Sequence, residues 1–309
     1  MLLYAVRRLI LMIPVLFGVL LLTFLMLHFV PGDPVRAMFV NSGGGSEEQI
    51  QQIREVLGLN DPLYVQFWNY VADILRGDMG RSLLTRQPVA TQLITAFPST
   101  LQLTIAGLGI AIILGFSLGI LAAVRRGSWI DSLTMFFSLL GVSVPSFWLG
   151  LILIYIVSVQ LNLIPVVGGP AWKQLILPAI ALGLQASAVI ARLVRSSLLE
   201  VLNEPYVTTA RSKGLKESRV LIIHALRNSL LPVLTIISLQ FGYLLSGTVI
   251  IETVFARQGI GRILVDALQS RDFPTAQGAV LFIAVVYVLV NLVVDLIYGL
   301  VDPRISHGS

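Results

Sequence analysis

The residues able to do chemistry in this chain are few. Lys173, Lys213 and Lys216 are the three lysines, and they follow Trp, Ser and Leu. A Walker A lysine follows glycine in a phosphate-cradling loop, so no P-loop is present and any ATP must be bound by another polypeptide. The three histidines, His28, His224 and His307, lie far apart, with no H-E-x-x-H or comparable metal spacing. No G-x-S-x-G nucleophile elbow occurs. The absence of cysteine excludes disulfides, thiol catalysis and thiolate metal sites. The chain is therefore read as having no catalytic residue, no metal site and no cofactor of its own, and not as an enzyme.

Ionisable residues inside apolar stretches are functional hypotheses by default. Asp295 lies one turn after Asn291 on the same helical face. It belongs either to an ion path or to an ion pair with a nearby arginine. The scarcity of such groups argues against ion-coupled transport, where carboxylates near the midplane carry the coupling ion. A second group is small and polar: Gly141, Ser143, Pro145, Ser146, Gln185, Ser187, Gln240, Gly242, Tyr243, Ser246, Gly247 and Thr248. Small residues let helix backbones approach closely. Alternatively they line a wet, weakly polar path, for which Ser143, Ser146, Gln185, Gln240, Tyr243 and Ser246 are the candidates. Pro145 predicts a kink.

The third feature is the polar segment Tyr206-Val-Thr-Thr-Ala-Arg-Ser-Lys-Gly214-Leu215, set between long apolar stretches in the most basic part of the chain. Asn203-Glu-Pro205 reads as a helix start, with proline at the first helical position. A helix of roughly two turns from Pro205 to Lys213, about 13 Å long, is expected to end at Gly214. The next helix should begin near Lys216-Glu-Ser218 and pass His224 and Arg227 before Leu231-Pro232.

These residues are positioned by elements made for lipid. The 309 residues are 56% hydrophobic and 12% charged, against about 25% charged in soluble proteins. The net charge of +5 sits in residues flanking apolar runs, not on a soluble basic face, which excludes nucleic acid as a partner. A membrane-crossing helix needs about 20 mainly apolar residues. Six segments qualify: Leu9–Val30, Thr100–Val124, Leu133–Val159, Leu175–Val194, Leu230–Ile251 and Gly278–Val301, the fourth interrupted by Gly183, Gln185 and Ser187. The first is read as retained, because its run exceeds a signal-peptide core and ends at Pro31-Gly-Asp-Pro34 without a small-x-small site.

Lys and Arg in short loops orient the bundle. Arg7, Arg8, Arg125, Arg126, Arg195, Arg211, Lys213, Lys216, Arg219, Arg227 and Arg304 fall on one side if six helices cross. Both termini are expected to be cytoplasmic. The loop Pro31–Ser99 is then exported. Within it Ser46-Glu-Glu-Gln49 reads as a capping box opening a helix that Gly58 stops. Asp61-Pro62 opens a second helix that Gly77 stops, Pro88–Phe97 is a third, and Gly43–Gly45 is a hinge. This loop forms either a cap packed on the bundle or a docking surface for a soluble partner.

The stretch Tyr206–Leu215, followed by His224-Ala-Leu-Arg-Asn228 and Leu231-Pro232, resembles the coupling loop of binding-protein-dependent ABC importer permeases, and within them the B-type subunit of the dipeptide/oligopeptide/nickel branch. Arg7-Arg8 through Pro34, Gly77-Asp-Met-Gly80 with Ser82, Glu252-Thr-Val-Phe255, Gly259-Ile-Gly261, Arg271-Asp272, and Asn291 through Arg304 are similar as well, so the likeness runs nearly end to end. Where the broad importer pattern has Glu-Ala-Ala, this chain has Thr208, Thr209 and Ala210, and where that pattern has Ile-x-Leu-Pro it has His224-Ala-Leu-Arg227. No role of the family glutamate is carried over.

The resemblance implies an all-α integral membrane protein of the type I ABC importer permease fold in the bacterial inner membrane. An N-terminal helix and exported loop (1–99) would precede a five-helix permease core (100–303) with a cytoplasmic coupling loop (195–229). It implies ATPase contact at Tyr206, Thr208, Thr209, Ala210, Lys213, Gly214, Leu215, His224 and Arg227. The implied partners are a homologous second permease subunit, two cytoplasmic ATPases holding Mg-ATP, an extracytoplasmic binding protein and membrane lipid. Short peptides are the expected cargo, with glutathione-like thiols, opines and nickel chelates as related solutes. The competing class is an ion-coupled secondary transporter or channel working alone, which would need a midplane carboxylate or an inverted repeat.

Overall fold

The computed structural model describes residues 2–29, 46–56 and 60–301, with side chains described except at 2–9, 26–29, 53, 56, 231 and 294–301. Pro31–Pro34, Gly43–Gly45, Gly58, Asp302–Arg304 and His307, and the side chains of Arg7, Arg8, His28 and Asp295, lie outside the described residues. In hydrocarbon every backbone N–H and C=O must be satisfied within the segment, which long helices achieve. The described residues accordingly form helices and no strand. In chain order they are α1 (Leu2–Phe29), α2 (Glu47–Val56), α3 (Leu63–Leu75), α4 (Val89–Val124), α5 (Trp129–Ser143), α6 (Ser146–Leu153), α7 (Ala171–Leu202), α8 (Pro205–Ser212), α9 (Glu217–Arg219), α10 (Arg227–Val254), α11 (Ile260–Gln269) and α12 (Phe273–Val301). Two π-helical stretches, Ile154–Gln160 and Val220–Leu226, extend α6 and join α9 to α10.

Among the described residues, α4, α7, Pro232–Val254 of α10 and Phe273–Val293 of α12 are each long and apolar enough to cross a membrane. α5 with α6 and its π extension is apolar enough when taken together, and makes a fifth span if the pair, bent by 102° at the break, is one crossing. Pro145 is the cause, since the residue before a proline is pushed out of the helical region and Val144 is extended, with ψ 122°. The expected first span falls within the 28-residue α1, whose stretch with described side chains, Ile10–Leu25, is apolar. The expected separate helix at Pro88–Phe97 does not exist. Its residues are the first turns of α4, which runs unbroken through Pro98.

The chain forms two compact units, divided within α4 after Pro98: residues 1–98 with 258–309, and residues 99–257. In the second unit α7 is the centre, and its interruptions are what let it be central. A Cβ on Gly183 would lie 2.5 Å from the Gly107 carbonyl oxygen of α4, and one on Gly115 would lie 2.6 Å from Ile190 Cγ2. The glycines thus bring two backbones together where lipid supplies no hydrophobic drive. Leu103 and Ala111 of α4, Leu182, Ala186 and Ile190 of α7, and Leu244 and Ile251 of α10 fill the core around this seam. Gly183→Ala is expected to cost about 1–3 kcal/mol by overpacking, read as a lower denaturation midpoint in detergent.

In the first unit α12 packs on α1, and Gln277 Nε2 donates to the Thr23 carbonyl at 2.7 Å. The capping box before α2 forms: the Gln49 N–H reaches Ser46 Oγ at 3.2 Å and the Ser46 N–H reaches Gln49 Oε1 at 3.1 Å. Gly77, at φ 82°, ends the turn after α3. The loop that follows is held by one buried carboxylate. Asp272 accepts from Ser82 Oγ at 2.5 Å, from the Leu83 N–H at 3.0 Å and from Thr275 Oγ1 at 2.8 Å. Hydrogen bonds to a charged acceptor contribute about 1.5–3 kcal/mol each before non-additivity. Asp272→Ala should therefore release residues 82–88, measured as faster tryptic cleavage after Arg81 and Arg86 in detergent-solubilised protein.

Candidate coupling site

The site is built on the end of α7. Leu198, buried with Ala123 and Ala225, carries the helix out of the main core. Asn203 Nδ2 then donates back to the Leu199 carbonyl at 2.9 Å, closing the last turn. Extended Glu204 (ψ 143°) turns the chain, and Pro205 starts α8 at the first helical position. Val207 and Ala210, one turn apart, are buried against Val220, with Leu215, Val201 and Leu202 around them. That spacing leaves Tyr206, Thr208, Thr209, Arg211, Ser212 and Lys213 exposed. The outward face is thus hydroxyl-bearing and basic. Gly214, at φ 77°, stops the helix one residue after the Lys213 cap, its N–H bonded to the Arg211 carbonyl at 2.9 Å.

A second brace joins α8 to the segment leading into α10. Asn228 Nδ2 donates to Tyr206 Oη at 2.8 Å and to the His224 carbonyl at 3.0 Å, and Tyr206 Oη reaches that carbonyl at 3.4 Å. Here His224 contributes its backbone carbonyl, which lies near the end of the π-helical stretch Val220–Leu226. Sequence periodicity gives no signal for such a turn. Arg227, the first residue of α10, is exposed. Arg211 pairs with Glu217 through contacts of 3.2 and 2.7 Å. The Arg211 guanidinium holds the Glu217 carboxyl below the usual carboxylate range. A depressed carboxylate contributes stability above its unfolded pKa and loses it as pH falls through the folded value. Both side chains are well exposed, so Glu217→Gln should change stability by less than about 1 kcal/mol at pH 7, with the difference vanishing in acid.

Above α8, an ion pair absent from the sequence reading ties α5 to α7. Arg195 Nε and Nη2 donate to Asp131 Oδ1 and Oδ2 at 2.6 and 2.8 Å, and the Gly127 N–H donates to Oδ2 at 3.0 Å. Asp131 sits in the first turn of α5, behind the Ser128 cap. A lone acid opening an apolar helix, with an arginine leaving another, was the available signal.

The candidate path residues also belong to this unit. Tyr243 Oη donates to Gln185 Oε1 at 3.3 Å, and Gln185 Nε2 reaches the Val142 carbonyl at 3.5 Å. Gln185, Tyr243 and the broken end of α5 beside Ser143 are thereby brought together. Ser143 and Ser246 bond back to their own helices, at the Leu139 and Gly242 carbonyls. Ser146 opens α6 and Gln240 is half-buried on α10, one turn from Tyr243.

Comparisons with known proteins place most of the chain in one family. Residues 115–307 match the family described as binding-protein-dependent transport system inner membrane component, and residues 1–104 match its N-terminal component. The glutathione transport system permease protein GsiC of Escherichia coli K12 is 44% identical over 308 residues, covering 99% of this chain and all of that protein. Its counterpart in Shigella dysenteriae serotype 1 is equally similar. Among solved structures, an inward-facing MetNI methionine ABC transporter aligns with a TM-score of 0.56 at 17% identity, over 68% of this chain and 96% of that one. An amino acid ABC transporter crystallised with histidines gives 0.53 at 19% identity, over 69% and 94%. These two show a shared fold. From the family match and the near full-length identity, the chain belongs to the binding-protein-dependent transport system inner membrane components, as a permease subunit of a bacterial ABC importer whose ATPase is a separate protein.

Proposed function

We propose that α8 is the element through which partner ATPases move this permease, and that the cargo is a short peptide of about glutathione size. The observation carrying the first part is a helix continuous from Ala171 to Leu202 that ends one short turn from α8, whose inner face is packed and whose outer face is free. A stiff rod ending in a packed knob transmits displacement, and a flexible loop does not. Tyr206, Thr208, Thr209, Lys213 and Arg227 present the contact surface, while Ala210, Gly214, Leu215 and His224 hold its shape. Arginine and lysine placement supports cytoplasmic termini and a cytoplasmic α8.

On this reading residues 1–99 anchor and cap the chain, and residues 100–303 form the transporting core. A homologous second permease subunit and two ATPases with Mg-ATP complete the assembly, and a binding protein delivers cargo from outside. Gln185, Tyr243, Gln240, Ser246, Ser143 and Ser146 form the weakly polar wall past which cargo moves. The peptide assignment is supported by the likeness to glutathione permeases at 44% identity.

The test is uptake into liposomes holding the complete assembly. ATP-dependent uptake of glutathione or a di- or tripeptide, lost when either the ATPases or the binding protein is left out, is the expected result. Uptake by this chain alone under an ion gradient overturns the proposal. A cysteine introduced at Thr209 is unique in the chain and should crosslink to cysteines in the ATPase groove.

A further inference from the structure

We infer that α3 lies within the bilayer on the C-terminal side of α1, with its outer flank in contact with lipid. One flank of α3 packs on α1. The Phe67 ring meets Phe17 and Phe24 edge-on at centroid distances of 5.7 and 5.3 Å, and Tyr70 bonds Thr23 at 3.2 Å. Phe17 is no end residue. It lies mid-way along the apolar stretch Ile10–Leu25, about 12 Å short of Leu25 at 1.5 Å per residue. Through Phe67, α3 reaches both Phe17 and Phe24, so it lies alongside the C-terminal half of this apolar stretch, at the membrane interface, and not above it.

The other flank is apolar and open. Tyr64, Trp68 and Leu75, spaced i, i+4 and i+11, are 68%, 59% and 80% exposed. Gln66, Asn69 and Asp73, spaced i, i+3 and i+7, make a narrow polar stripe on the far side of the helix. No charged residue occurs from Pro62 to Ala72. This is the pattern of a helix lying at a membrane interface, with Trp and Tyr at headgroup level. The flank also adjoins an exposed apolar stripe of α1, because Phe17, which meets Phe67, and Leu21, one turn on, are themselves 44% and 37% exposed. That continuity with a helix read as crossing the membrane selects lipid over a soluble partner, and the exposed Asp73–Arg76 pair marks the end at which the flank leaves it.

The inference rests on α1 crossing the membrane and is independent of the coupling assignment. Because the chain lacks cysteine, single cysteines at Tyr64, Trp68, Asn69 and Asp73, with a reference at Leu22, can be spin-labelled in the complete importer in liposomes, using cysteine-free partners. Labels at 64 and 68 should be relaxed by molecular oxygen more than by a water-soluble nickel chelate, as at 22, and the order should reverse at 69 and 73. Binding protein should leave the signal at 68 unchanged. The inference fails if the label at 68 is relaxed mainly by the chelate, is shielded from both reagents, or is immobilised by the binding protein, while 22 reads as lipid. A water-exposed label at 22 removes α1 from the membrane and the inference with it, whatever the uptake assay gives.

Discussion

Replacing Gly214 with proline is expected to abolish ATP-driven uptake while leaving the chain folded in the membrane. The backbone at Gly214 has φ 77°, and the proline ring fixes φ near −65°. The change therefore removes the stop of α8 and the N–H that bonds the Arg211 carbonyl. A cost of about 3 kcal/mol, roughly a hundred-fold in the population of the correct turn, falls on the element that must fit the ATPase. The core around α7 does not depend on this turn, so membrane level and detergent stability should change little. Alanine separates backbone from contact effects. Nothing lies within 4 Å of a Cβ built at 214, so Gly214→Ala incurs only the left-handed conformation, about 1–2 kcal/mol. Asparagine, which visits that region more readily, should rank between Gly and Ala. Uptake falling in the order Gly, Asn, Ala, Pro at constant membrane level is the expected result. Normal uptake with proline removes α8 from the coupling path.

How far this arrangement could be read in advance depended on whether the signal was local. The capping box at Ser46 and Gln49, the stops at Gly77 and Gly214, the proline opening α8 and the break at Pro145 are each set by one or two residues acting on adjacent backbone, and each formed as expected. The start of α4 carries no such local mark, since Pro98 lies inside the helix and a membrane helix tolerates proline when neighbouring groups re-satisfy the freed carbonyl. Gly183 and Ser187 looked like interruptions because their role is contact with another helix, which a single stretch of sequence does not display. The π turn at Val220–Leu226 and the clasp between Asp272 and Ser82 were invisible for the same reason. The first has no periodicity of its own, and the second joins residues 190 positions apart.

The pair Asp131–Arg195 is the long-range contact with the largest expected consequence, and its two halves should not respond alike. The Asp131 side chain is 7% exposed and that of Arg195 26%. Removing the arginine strands a carboxylate with little access to water, whereas removing the acid leaves a guanidinium on a long stem that can turn towards solvent. Breaking a buried pair costs about 3–5 kcal/mol when the remaining charge stays buried. Because the Gly127 N–H still donates to the carboxylate, Arg195→Met is expected near the bottom of that range, Asp131→Asn clearly below it, and the double variant less damaging than Arg195→Met alone. Denaturant midpoints of the three in detergent give the ranking directly. Transport adds a second reading. Arg195 lies ten residues before Pro205 on the helix that leads to α8, so the pair fixes α5 to the rod just above the proposed knob. If displacement of α8 is passed to α5 through this contact, the double variant, although partly restored in stability, should hydrolyse ATP in the full assembly with little uptake. Recovery of uptake in step with stability would reduce the pair to a packing role, and equal losses from the two single changes would contradict the burial argument itself.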